Sequence, residues 1–537
     1  MEIESIAIEL NRLSEAVTLG QFDDAMNGVD ILYQQINKDA ERDALFVTIM
    51  SNIASILIDI GHMKPCSESA QRGLDILNEY KNEIIEQLGE DAYYYNLSNA
   101  KSNLVSEKNP FEHTFSTIEK LVEIKTDLWK AIKSFGDTNP GRIEPTYIVN
   151  LGNSLKQQFR IVEAIECYDL VNKLNLDIPQ SWINRSATLI MLNQVSNTFS
   201  IQMLEQIKRG YENVLLSKQI PPIWLDHYKE QVVFNESKIL EACREADIES
   251  DPHDSEKTKD EYEKLSSYRK FCLDNNLSLS EHGLYCQCVG SSRDNLTIPT
   301  AGGVVGDFVI PMEMVLNRLK SEFSFSRRLY FEYLTTEEDY ELLHDSCFSE
   351  LFNDELLGVD VEKLRTAFRS CFGILDKIGI AICELFDLYP PNRKVYFQSF
   401  WQLDRGNRRE IFDRNKSSGL LALYSIATDL NENKEGEWSF LKQLRNDLEH
   451  EFVVIHKSET PSDIYESYEF MENIVFIKED EFLEHLRRIL QLTRSAIFSF
   501  VFTVRDKALK EKKDGVFYFP NGIHPQDYIF EDQDLNN

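Results

Sequence analysis

Apolar residues recur at steps of three and four along most of this chain, and strand-like alternation is scarce, so the spacing predicts an all-α protein. The clearest stretches are about Pro311 to Leu334, Asp354 to Leu388, Ser417 to Leu430, a helix beginning near Trp438, and about Glu479 to Lys510. Four or five helices of that length suffice for an up-and-down bundle. With 537 residues the chain exceeds what one core accommodates, so two or more domains are expected.

Residues 1–245 carry a weak internal repeat. Gly20-Gln21-Phe22-Asp23-Asp24-Ala25 has the small-x-aromatic-x-x-Ala spacing found between paired helices. Tyr94-Tyr95-Asn96-Leu97-Ser98-Asn99-Ala100 returns about 53 residues later as Tyr147-Ile148-Val149-Asn150-Leu151-Gly152-Asn153-Ser154-Leu155. Gly152 and Ala164 are small enough to let two antiparallel helices approach, with Leu151, Leu155 and Tyr168 filling the seam. Trp182-Ile183-Asn184 and Ala187, after Pro179, read as the start of another pair. This resembles tetratricopeptide repeats, whose period is about 34 residues, with lengthened helices or an inserted loop. Stacked helix pairs form a surface suited to a protein or ligand partner of unknown identity.

Residues 246–310 read as an acidic linker and irregular lead-in. The stretch 241–264 holds ten acidic and four basic side chains and marks the best boundary. Two tempting motifs follow it. Gly302-Gly303-Val304-Val305-Gly306 lacks the GK[ST] ending of a phosphate loop. Cys286-x-Cys288 with His282 offers three soft ligands without a fourth, a weak zinc signal. Neither is taken as a site, and no metal or cofactor is expected. Nine scattered cysteines without a CxxC pair fit reduced thiols and a cytoplasmic location. The acidic start MEIESIAIEL is unlike a secretion signal, and no membrane association is expected. The net charge of −33 repels polyanions over most of the surface, so any nucleic acid must meet a local basic patch.

The stretch LRNDLEHEF, 444–452, sits on the helix that begins near Trp438. Trp438, Leu441, Leu444, Leu448 and Phe452 form an apolar stripe. Arg445 and Glu449 share a face, as do Asn446 and His450. Spacing alone reads this as a charged helix rim with a surface ion pair worth a few tenths of a kcal/mol, roughly. Arg445 to His450, however, has the form R-N-x-x-x-H, set in a late run of long helices. This resembles the HEPN superfamily, whose helical domains carry an R-x4-6-H motif with a polar residue, often asparagine, after the arginine. The resemblance covers about 311–511, and the lead-in from Tyr268 resembles HEPN proteins with N-terminal helical repeats.

The resemblance implies a metal-independent endoribonuclease with Arg445, Asn446 and His450 as catalytic residues, in a homodimer whose two motifs face one cleft. The residue types suit cleavage through the ribose 2′-hydroxyl. Histidine serves as a base near neutral pH, and arginine places a permanently charged fork on the developing phosphorane. Asp447 or Glu449 is expected to aim that fork. A prokaryotic antiviral defence or toxin role is also implied. RNA is expected to enter along 391–416, where Arg393, Lys394, Arg405, Arg408, Arg409, Arg414 and Lys416 interleave with Tyr396, Phe397, Phe400 and Trp401. Arg487, Arg488 and Arg494 form a second candidate rim. His456 and His485 read as structural or solvent-facing. Residues 512–537 form an acidic aromatic tail that docks on the bundle or a partner. The rival reading is a non-catalytic scaffold that binds RNA or protein.

Overall fold

The computed structural model describes residues 3–36, 43–198, 200–245, 255–300, 302–336, 355–390, 394–400, 408–457, 474–511 and 516–519. The chain is mostly helical and divides into two compact units. One comprises Met1–Leu189 with Ile207–Lys238, the other Ile190–Gln206 with Ile239–Asn537.

The first unit is an array of paired helices: α1 Ile3–Thr18, α2 Phe22–Gln35, α3 Ala44–Met63, α4 Ser67–Glu79, α5 Lys81–Leu88, α6 Glu90–Asn103, α7 Phe115–Thr138, α8 Pro145–Gln157 and α9 Ile161–Lys173. The helices α10 Pro179–Ser196, α11 Ile201–Leu216 and α12 Pro222–Glu245 follow in sequence. Gly20, at φ +77°, closes the α1–α2 turn, a backbone state that costs glycine little. Helix α3 is long and apolar enough to cross a membrane by composition, but 67% of its apolar window is buried inside the protein. It packs against α4, and Leu57, Ile53 and Ile60 lie fully buried in a core shared with α1, α2 and α6.

The two similar stretches at 94–100 and 147–155 lie on α6 and α8. There the rings of Tyr95 and Tyr147 stack with centroids 4.5 Å apart. Asn150 Nδ2 donates to Tyr95 Oη at 3.1 Å and to Asn99 Oδ1 at 2.9 Å. On the other side of α8, Leu151, Leu155, Ala164 and Tyr168 form one buried cluster with α9. A Cβ on Gly152 would stand 2.7 Å from the Tyr168 ring, so only glycine permits this approach.

The second unit opens with α13 Ser255–Glu263 and α14 Ser267–Asp274, then an irregular segment to about Gly303. The helices α15 Val309–Thr335, α16 Val359–Phe386, α17 Phe397–Phe400, α18 Arg408–Asn415, α19 Ser418–Asp429, α20 Ser439–His450 and α21 Glu479–Lys510 follow. Helix α21 is the axis: α15, α16 and α19 all pack on it. Its Ile497, Phe498, Phe500 and Val501 are fully buried, on several faces of the helix, as befits an element surrounded by others. Helix α19 reaches it at Gly419, where a Cβ would lie 2.4 Å from the Ser499 carbonyl oxygen.

Two sequence expectations shift. The helix expected from Asp354 begins at Val359, because Gly358 at φ +104° interrupts the chain before it. The stripe through Phe452 ends early: α20 stops at His450, Glu451 is extended, and Phe452 is 65% exposed. The β-branched run Val453-Val454-Ile455 then favours a strand. Strand β2, Phe452–His456, pairs in parallel with β3, Ile474–Lys478. Val304–Val305 pairs antiparallel with Phe517–Tyr518, so the glycine run at 302–306 is a strand with its turn, and this piece of the tail docks on it. The rest of the tail lies outside the described residues.

Candidate active site

Helix α20 carries the motif, anchored by Leu441 and Leu444, which are buried at 0% and 6% exposure. Trp438 stands at its N-cap, with the Arg488 guanidinium 4.7 Å above its ring. The anchored side leaves the polar face outward. Arg445 and Asn446 are half-buried, and His450, the last helical residue, is exposed. Arg445 Nη1 donates to Asn446 Oδ1 at 3.1 Å. Asn446 and His450 are one turn apart on the same face. His450 hydrogen-bonds to none of the other described side chains, so its ring is open to solvent.

The two carboxylates expected to aim the arginine are engaged elsewhere. Asp447 is buried and accepts from Gln443 Nε2 at 2.6 Å. Glu449 Oε2 lies 3.9 Å from Arg369 Nη1 of α16. A carboxylate within electrostatic reach of Arg445 is Asp376, also on α16. Burial pushes the Asp376 carboxyl up from its ordinary value. The Phe397 N–H, donating to Oδ1 at 2.8 Å, and the charges of Arg445, Lys377 and Lys442 pull it back. Local spacing had no means of finding Asp376, because it lies on a different helix, far from the motif in sequence.

That hydrogen bond also places part of the basic stretch. Residues 395–397 cross α16 at Asp376 and Gly379, and Val395 Cγ1 sits 3.1 Å from where a Cβ on Gly379 would be. Lys394 and Arg414 are exposed, and Arg408 and Arg409 are half-buried. Tyr396, 52% exposed, is available for stacking, whereas Phe397 at 1% is core and offers no platform. Arg393, Trp401 and Arg405 lie outside the described residues.

The second candidate rim is corrected in part. Arg487 is exposed, but Arg494 is buried at 1% exposure and its Nε donates to the Ser278 carbonyl at 2.8 Å. Arg494 is a fastener, and it has company. Arg505 Nε reaches the Ile298 carbonyl at 3.0 Å and its Nη1 reaches Glu281 at 2.5 Å. Arg327 grips Asp294 through Nη2 at 2.6 Å and the Leu277 carbonyl through Nη1 at 2.6 Å. Three buried arginines thus hold the irregular lead-in on α15 and α21. Of the two histidines read as structural, His456 is buried with Nδ1 2.9 Å from the Lys457 carbonyl oxygen. His485 packs edge-on against Phe440 at 4.9 Å.

Among the described residues, the side chains that gather as metal ligands are His282, Cys286 and Cys288, with ligand atoms all within 4.8 Å of one another.

Residues 305–507 match the family model described as LA2681-like HEPN, so the C-terminal unit carries a domain of that kind behind an N-terminal helical region. No curated protein matches the chain significantly.

Proposed function

We propose that the LA2681-like HEPN domain of this chain is a metal-independent endoribonuclease. The observation that carries the reading is the Arg445/Asn446/His450 set on one helix. Its apolar side is anchored, its arginine is paired with the next asparagine at 3.1 Å, and its histidine is open to solvent.

The chemistry needs little more than these groups. The imidazole of His450 takes the proton from a ribose 2′-hydroxyl, and the 2′-oxygen attacks the adjacent phosphorus. The bond from phosphorus to the 5′-oxygen breaks, leaving a 2′,3′-cyclic phosphate, and the departing 5′-oxygen gains a proton. Arg445 carries the charge that builds on the equatorial oxygens. Its fork is held by Asn446, with Asp376 within electrostatic reach. DNA, without the 2′-hydroxyl, is inert.

One histidine cannot serve as base and acid in the same step, and a second copy of the motif supplies the other. Phe440 and Phe452, 43% and 65% exposed, flank the motif helix at its two ends. Exposed apolar groups of this kind support an isologous contact there. RNA approaches along Lys394, Tyr396 and Arg414. The N-terminal array, read as tetratricopeptide-like, receives the partner or ligand that licenses cleavage, in keeping with a cytoplasmic defence or toxin role.

The test is digestion of total RNA in EDTA by the wild-type protein, Arg445→Ala, His450→Ala, and a mixture of the two variants. Loss of cleavage of at least about a hundredfold in each single variant is expected. Cleavage unchanged in both variants sinks the mechanism. RNA binding without any cleavage favours the scaffold reading.

A further inference from the structure

The segment between α14 and the short strand Val304–Val305 poses a physical problem. Among its described residues from about Asn275 to Gly303 it has no regular element beyond two single 3-10 turns, His282–Leu284 and Gly290–Ser292. Irregular segments of this length inside a compact domain are uncommon and are normally held by something specific. This one is buried: Leu277, Leu279 and Ile298 are at 0% exposure, Leu296 at 2% and Cys286 at 6%. The arginines described above hold its two ends and Glu281. The middle, from His282 to Cys288, is held by none of them.

The two turns bring three ligands together there. Cys286 N donates to the His282 carbonyl at 3.1 Å, one full turn, which sets both side chains on one side. The second turn begins at the Cys288 carbonyl, which accepts from Ser291 N at 3.1 Å and Ser291 Oγ at 2.6 Å. Ser278 Oγ, donating to the Ser291 carbonyl at 2.7 Å, locks the second turn to the start of the segment. The ligand atoms of His282, Cys286 and Cys288 end within 4.8 Å of one another. Tetrahedral zinc, with Zn–S near 2.3 Å and Zn–N near 2.1 Å, needs them about 3.5–3.8 Å apart. A small side-chain rotation closes that difference. The histidine is also oriented: Nδ1 lies 3.3 Å from Tyr285 Oη, and the two rings meet edge-on at 5.0 Å. With Nδ1 held, Nε2 is the nitrogen a metal would take, and the hydroxyl supplies the outer hydrogen bond that zinc-bound histidines use. The two thiols are free, and Cys288 is the one held low, by hydrogen bonds from Cys286 and His282.

We propose that His282, Cys286 and Cys288 bind one zinc ion, with water in the fourth position, and that the metal closes the middle of the irregular lead-in on itself. The site is independent of the cleavage reading, since none of its residues belongs to the Arg445 motif. Both cysteines would bind as thiolates.

The experiment measures zinc by inductively coupled plasma mass spectrometry in the full chain, purified in reducing buffer, loaded with zinc sulfate and dialysed. About one zinc per chain is expected in the wild type and in Cys66→Ser, falling at least about fivefold in Cys288→Ser and in His282→Asn. Should a variant fail to fold, the wild type alone decides. Alkylation of Cys286 and Cys288 by iodoacetamide should be at least about tenfold slower with zinc than after chelation. A wild type that retains less than about a tenth of a zinc, equal zinc in Cys288→Ser, or a Cys286–Cys288 disulfide in the purified protein would overturn the proposal.

Discussion

Arg327→Met tests whether the lead-in is held by buried charge. Arg327 is 1% exposed, and its guanidinium spans Asp294, with contacts of 3.1 and 2.6 Å, the Leu277 carbonyl at 2.6 Å and Tyr268 Oη at 3.0 Å. Methionine fills much of the volume, so the packing loss is small. What remains is a largely buried Asp294 without its countercharge, and breaking such a pair from one side costs about 3–5 kcal/mol. At about 1.4 kcal/mol per tenfold, 3 kcal/mol corresponds to roughly 150-fold faster opening. Hydrogen exchange read peptide by peptide should show that rise in peptides spanning 277–300. Little change is expected in α6 to α9. Adding Asp294→Asn should recover part of the loss, because the stranded charge is gone. Burial alone would raise the Asp294 carboxyl, but Arg327 outweighs it and holds the group below its ordinary 3.8. A depressed folded value means the stabilisation is full above about pH 4 and is lost as pH falls through that depressed value. The double variant should lack this acid sensitivity. Exchange within about threefold of wild type in the single variant, or no recovery in the double, would refute the reasoning.

Two further perturbations separate packing from recognition. Gly419→Ala should destabilise by about 1–3 kcal/mol through overpacking, since its Cβ would stand 2.4 Å from the backbone of α21. Gly373→Ala on α16, where the nearest atom is Lys377 Nζ at 3.9 Å, should stabilise by about 0.5–1 kcal/mol. Thermal melts of both check the pair, and a neutral Gly419→Ala contradicts the close approach. Lys394→Glu with Arg414→Glu should weaken RNA binding about tenfold or more and flatten its salt dependence by about two phosphate contacts, read by filter binding across a salt series. Lys229→Glu, on exposed α12, should leave both unchanged.

The long helices were legible because their apolar periodicity is strong. The expected span from Glu479 to Lys510 is the observed α21, and the ends of α15 and α19 fall within two residues of expectation. The α8–α9 seam was legible from Gly152, Ala164 and Tyr168, since close helix approach demands small residues opposite large ones. Less visible was everything set by partners distant in the chain. The β2–β3 pair joins strands on either side of a long connection, a partnership that local spacing does not show. Arg494 looked like a basic rim residue, because sequence alone does not reveal a carbonyl from Ser278 waiting inside the fold. Asp376 was missed for the same reason. His282, Cys286 and Cys288 have no fourth ligand near them in the sequence, which makes their spacing a weak signal. Two tight turns and Tyr285 hold their side chains together, which spacing alone does not convey.

The most direct test of the central claim is the chemistry of the cut ends. A mixed-sequence RNA pool and its DNA counterpart are incubated with the wild-type protein in EDTA, and the termini of the fragments are identified. Cut RNA carrying 2′,3′-cyclic phosphates and free 5′-hydroxyls, intact DNA, and no cleavage by His450→Ala are expected. Fragments with 5′-phosphates, or DNA cut as readily as RNA, would contradict the claim.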